Sequence, residues 1–182
     1  KGEIRTSWVV DPPNGMVPYK KEYAAGRNFG NDYTSYETRP LAERCLRGFT
    51  NGAGPVLANG LYNNNYQIIQ AKDHVVIVVE MNHDARIIPL NAQHKAKALN
   101  PYLGDSIGWW EGDTFVMESV NLKPLQAENH SFPLSPDGVV TERFTRTGEK
   151  DIFYEYTVND PSIYTQPWKV ELAFYPSSGV YE

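Results

Sequence analysis

The stretch Val139-Val140-Thr141-Glu142-Arg143-Phe144-Thr145-Arg146-Thr147-Gly148-Glu149-Lys150-Asp151-Ile152-Phe153-Tyr154-Glu155-Tyr156-Thr157-Val158 decides how this chain is read. Residues 139–147 and 151–158 are rich in β-branched and aromatic side chains, and Gly148-Glu149-Lys150 separates them, so they predict a hairpin. Alternation puts Glu142, Phe144 and Arg146 on one face, and Arg143 and Thr145 on the other. In the second arm Tyr154, Tyr156 and Val158 oppose Phe153, Glu155 and Thr157. Charges therefore fall on both faces. A charge turned into the interior must be paired, or the interior must be wet or filled by a ligand.

Outward from this hairpin the same signals recur. Residues 107–110 and 114–120 flank the turn Glu111-Gly112-Asp113 and predict a second hairpin. Residues 66–70 are strand-like, and Lys72-Asp73-His74 reads as a turn. Residues 74–81 form a valine-rich run, expected as a strand buried on both faces. Residues 85–90 make another strand near Pro89, and residues 168–174 the last. The fold class expected is mainly β. An antiparallel meander would curl into a lipocalin-like barrel or a strongly bent sheet.

The first sixty residues differ. Asp11-Pro12-Pro13-Asn14-Gly15 excludes an interior helix or a central strand. Residues 19–27 predict one short helix and residues 40–46, opened by Pro40, a second. Residues 48–60 read as a loop. Residues 1–60 are thus an irregular arm packed on a barrel-like unit of residues 61–182, in one structural domain.

Composition limits the partners. The net charge is −5 and the basic residues are scattered, which argues against nucleic acid. The longest apolar run, residues 75–79, cannot span a bilayer, so no membrane insertion is expected. Cys45, the single cysteine, reads as a buried or inert thiol, or as half of a disulfide whose partner lies elsewhere. The chain starts at Lys1, as a mature or trimmed product would. Asn63-Asn64-Asn65 and twelve tyrosines suit the polar, aromatic surface of an exported protein.

Three clusters could carry chemistry. Glu80, His83, Asp84 and Arg86 crowd the end of the valine-rich strand. There His83 could act as acid or base, Asp84 or Glu80 could orient it, and Arg86 could hold an anionic or carbonyl group. The plainer explanation pairs Asp84 with Arg86 to fix the turn. Trp109 and Trp110 are adjacent on a strand and point to opposite faces, so one can stack on a flat ligand or sugar ring while the other packs. Arg146, Tyr154 and Tyr156 complete the candidate substrate-binding set, although cross-strand ion pairs explain their charged neighbours Glu142, Arg143 and Glu155. The histidines His74, His83, His94 and His130 show no metal-binding spacing, and no cofactor motif is present, so neither metal nor cofactor is expected.

Several motifs together carry a resemblance. They include Val10-Asp11-Pro12-Pro13-Asn14-Gly15, Glu43-Arg44-Cys45, Tyr62-Asn63-Asn64-Asn65-Tyr66-Gln67-Ile68 and His83-Asp84-Ala85-Arg86-Ile87-Ile88-Pro89-Leu90. Trp110-Glu111-Gly112-Asp113-Thr114, Glu142-Arg143-Phe144-Thr145-Arg146 and Asp160-Pro161 through Pro167-Trp168 belong with them. The set resembles a large family of exported bacterial proteins with no established activity. The resemblance implies a secreted or periplasmic location and one domain. It also implies a continuation beyond Glu182 holding a further Cys and His, with which Cys45 could pair.

Three functions follow as expectations. One is a cavity-based enzyme using lyase, isomerase or hydrolase acid–base chemistry on a small organic molecule or saccharide. The alternative is an exported lipocalin-like protein that binds a small ligand without turnover. The third is a structural or assembly subunit that forms homo-oligomers through exposed strands or the N-terminal arm.

Overall fold

The structure is a computed structural model that describes residues 5–24, 52–58, 62–99, 101, 103–122 and 132–177. The strands are β1 (Val9–Asp11), β2 (Tyr66–Gln70), β3 (His74–Val79), β4 (Ala85–Pro89), β5 (Asp105–Glu111), β6 (Thr114–Val120), β7 (Val139–Arg146), β8 (Ile152–Asn159) and β9 (Trp168–Phe174). One helical turn, α1 (Lys21–Ala24), lies inside the expected 19–27 helix. The expected helix over residues 40–46, Cys45 and His130 lie outside the described residues.

Among the described residues the strands form two antiparallel sheets, one of order β1-β9-β8-β7-β6-β5 and one of order β2-β3-β4. Both predicted hairpins are present. The β5–β6 turn places Gly112 at φ +58°, the left-handed region where glycine costs nothing. The register pairs Trp110 with Phe115, Phe115 with Phe144, and Phe144 with Tyr154. One bridge, Leu90 to Gly108, links the sheets, and the Asn91 N–H donates to the Gly108 carbonyl at 2.7 Å.

The two inner faces enclose the core. The large sheet contributes Met117, Val140, Phe144, Tyr154, Val158, Trp168 and Val170, all buried. The small sheet contributes Val75, Ile77, Val79 and Ile88. Residues 52–58 pass between them as a buried loop. Gly52 and Gly54 have φ of +56° and +93°. A Cβ on Gly54 would lie 2.6 Å from Arg86 Nη1, so glycine lets the main chain approach that side chain.

One expectation needs correction. The valine-rich β3 is not buried on both faces: Val75, Ile77 and Val79 are buried, while His74, Val76 and Val78 are half-buried. The small sheet is antiparallel and packs only its inner face. No closed barrel forms among the described residues. β2 approaches β9 through side chains alone, Tyr66 lying 5.5 Å from Phe174 between ring centres. Finally, β1 went unread because Pro12 follows it directly. Proline is tolerated there because β1 is short and lies at the sheet edge.

Candidate functional site

Side chains of the two sheets line a half-open cleft of about 750 Å³. Its apolar walls are Ile68 and Ile77 from the small sheet, and Trp110, Phe115, Phe144 and Phe174 from the large one. The strand registers explain this wall. Trp110, Phe115, Phe144 and Tyr154 occupy one row across neighbouring strands, with ring centres 5.3, 6.1 and 4.7 Å apart in that order. Exposed polar side chains edge the opening: Gln70, Asp113, Arg146 and Lys150. A shallower hollow shares Gln70, Trp110, Asp113 and Arg146 with it. Arg146 is fixed in place, donating from Nε to the Gly148 carbonyl at 3.0 Å and from Nη2 to that of Glu149 at 3.2 Å.

One row deeper lies a buried charged centre. Glu142 is 0 % exposed and Arg86 3 %. Arg86 Nη2 donates to Glu142 Oε2 at 2.6 Å, and Tyr154 Oη donates to Oε1 at 2.7 Å. The Leu57 N–H donates to Tyr154 Oη at 3.0 Å, tying the buried loop to β8. Arg86 Nε and Nη1 are buried without a hydrogen-bond partner. Burial, and then the Glu142 charge, push the Tyr66 phenol up to about 12. The same causes raise Tyr156 and Tyr154, and the hydrogen bond to Glu142 adds to the rise at Tyr154.

The expected catalytic set does not converge. Glu80 is buried, and its Oε2 accepts from the Asn65 N–H at 3.1 Å and from Nδ2 at 2.9 Å, which fixes the approach to β2. His83 ends the turn Met81–His83 at φ +52° and is exposed. Asp84 is half-buried, with Oδ2 filling the space beside Gly52. Arg86 points into the core. None of these four lines the cleft.

The expected binding set divides. Trp110 and Arg146 line the cleft. Tyr154 and Tyr156 are core residues. Trp109 faces the other way, as alternation requires, and its Nε1 donates to Glu111 Oε1 at 2.9 Å. That outer face carries the cross-strand ion pairs: Arg143 with Glu111 at 2.7 Å and with Glu155 at 3.5 Å, and Lys169 with Glu155 at 2.7 Å. The bonds from Arg143 and Trp109 hold the Glu111 carboxyl below its ordinary range.

Sequence reasoning missed Ile68, Gln70, Ile77, Phe115 and Phe174 as lining residues. The alternation of each strand put Phe115 opposite Val116, but only the pairing of the two sheets shows which face encloses space. A further cluster sits apart. His94 Nδ1 lies 2.9 Å from Asp105 Oδ2, and Nε2 lies 3.2 Å from Glu118 Oε1, which clips the β4–β5 connection onto the hairpin. No group of three or more His, Cys, Asp and Glu among the described residues is arranged to hold a metal ion. No helix among them is long and apolar enough to cross a membrane. No family model, curated protein or solved structure matches the chain.

Proposed function

We propose that this protein binds a small, largely apolar molecule with a polar end in the cleft between its two sheets, without chemical turnover. The observation that carries this reading is the aromatic cleft itself. Its volume of about 750 Å³ falls within the ordinary range for small-ligand sites. Trp110 offers an exposed indole at the opening, and the rings of Phe115, Phe144 and Phe174 continue inward. Arg146 and Gln70 stand where a ligand's oxygen atoms would leave the apolar part. In this reading the sheets work together as an opened barrel of lipocalin-like character. An exported location belongs to the same proposal, in line with the motif resemblance.

Acid–base catalysis is the weaker reading. It would need a proton-transfer group at the ligand, whereas Glu80 and Arg86 are committed to buried bonds and His83 lies outside the cleft.

The test is a titration with 1-anilinonaphthalene-8-sulfonate, an apolar fluorescent anion, followed by fluorescence. Saturable binding is expected, weakened about tenfold by Trp110→Ala, a loss of about 1.4 kcal/mol. Trp109→Ala and His83→Ala should leave it unchanged. Absence of saturable binding, or equal weakening by Trp109→Ala, would remove the proposal.

A further inference from the structure

We infer that β2 is a self-pairing edge through which two copies of this chain join. Among the described residues β2 is the outermost strand of the small sheet and pairs only with β3. Its sequence, Tyr66-Gln67-Ile68-Ile69-Gln70, has no charge and no proline. Residues 67–70 are all exposed, Ile68 by 39 % and Ile69 by 43 %. Natural sheet edges are usually blocked by charges, prolines, bulges or short length. The other edges described here are protected. β1 is three residues long, shifts register between Val9 and Asp11, and runs into Pro12. β4 and β5 are engaged with each other through Leu90, Asn91 and Gly108.

The hydrogen bonds at each end of β2 show which of its groups are free. The Ala71 N–H donates to the His74 carbonyl, and the Glu80 N–H donates to the Asn65 carbonyl. Alternation then turns the main-chain groups of Gln67 and Ile69 toward β3, and those of Tyr66, Ile68 and Gln70 toward the open edge. A second copy related by a two-fold axis at Ile68 matches these groups. Ile68 faces Ile68 of the second copy, and Tyr66 faces its Gln70, each as a pair that exchanges both N–H···O bonds. Inner-face side chains meet inner-face ones, and Gln67 meets Ile69 on the outer face. A shift by one residue would pair inner faces with outer ones, so alternation excludes registers offset by one residue.

The occupant is a second copy because the strand complements itself. Past the strand ends, Lys72 faces Asn64 and Asp73 faces Asn63, so no like charges oppose. The added strands also extend an existing apolar row on the outer face. Ile69 pairs with Val76 and Val76 with Ile87, and Ile87 is 64 % exposed.

The test reads the register as well as the association. Sedimentation equilibrium of the wild-type chain should show a monomer–dimer equilibrium. Gln67→Lys with Ile69→Lys sets lysine against lysine in both outer pairs and should raise the dissociation constant by about tenfold or more. Gln67→Lys with Ile69→Glu sets lysine against glutamate and should restore the dimer, weakening as salt rises. Far-ultraviolet circular dichroism confirms that each variant folds. A wild-type chain that stays monomeric as concentration rises, or equal association of the two variants, overturns the inference. Neither Gln67 nor Ile69 lines the cleft, so neither substitution removes a side chain from the ligand site, and loss of anilinonaphthalene binding by Trp110→Ala tests the ligand proposal apart from this one.

Discussion

Glu142 is fully buried, and one guanidinium and one phenol satisfy its two oxygens. A buried pair of this kind is weak evidence of net stabilisation, because desolvation offsets the attraction. Breaking it is another matter. Glu142→Leu strands the Arg86 cation in the core and removes the acceptor of Tyr154, so it should cost about 3–5 kcal/mol. Arg86→Met added to Glu142→Leu should recover much of that loss. Urea unfolding followed by circular dichroism measures both, and a double variant no more stable than the single would contradict the account. The sequence showed half of this arrangement. Alternation put Glu142 on one face with Phe144 and Arg146, but it left open which face turns inward, and cross-strand ion pairing was the expectation for Glu142. The identity of the partner was not legible, because Arg86 is 56 residues away and belongs to a different sheet.

At the level of elements, the hairpins β5–β6 and β7–β8 were legible because their registers depend on local turn chemistry. β9 was legible because Trp168, Val170, Leu172 and Phe174 alternate with Lys169, Glu171 and Ala173. β3 was read as doubly buried because its composition, His74-Val75-Val76-Ile77-Val78-Val79, has no polar alternation to mark an outer face. Gly108 shows what the strand pattern conceals. A Cβ there would meet Phe115 at 2.7 Å and Ile88 Cγ2 at 2.9 Å, one contact from each sheet. Gly108→Ala should therefore destabilise by about 1–3 kcal/mol through overpacking. Thermal unfolding measures it, and a melting temperature equal to wild type would show that the sheets can part there without cost.

For the whole molecule, the pairing of the two sheets set the candidate site, and no local signal encodes that pairing. Polar crowding at residues 80–86 drew attention to His83 and Asp84, whereas apolar side chains on strands of both sheets form the cleft. The same enclosure governs the response to alkali. Folded Tyr66 holds its proton up to about 12, against 10.0 as its ordinary value, so the folded state binds more protons across that window. Stability should be intact below pH 10 and fall as pH rises toward 12, by about 2–3 kcal/mol from Tyr66. Tyr154 and Tyr156 act in the same direction. Stopped pH jumps read at the phenolate absorbance should show a slow fraction that ionises only with unfolding. Immediate ionisation of every tyrosine would refute this.

The seating of Leu57 against Tyr154 spans 97 residues of chain. On a ribosome, the glycine-bordered plug is synthesised long before the strand that anchors it. Until β8 has emerged, the segment has no container and its apolar side chains have nowhere to go. Completion of this interior therefore waits until β8 has been synthesised. A nascent chain halted ahead of Tyr154 would expose the very surface that the finished protein hides most completely.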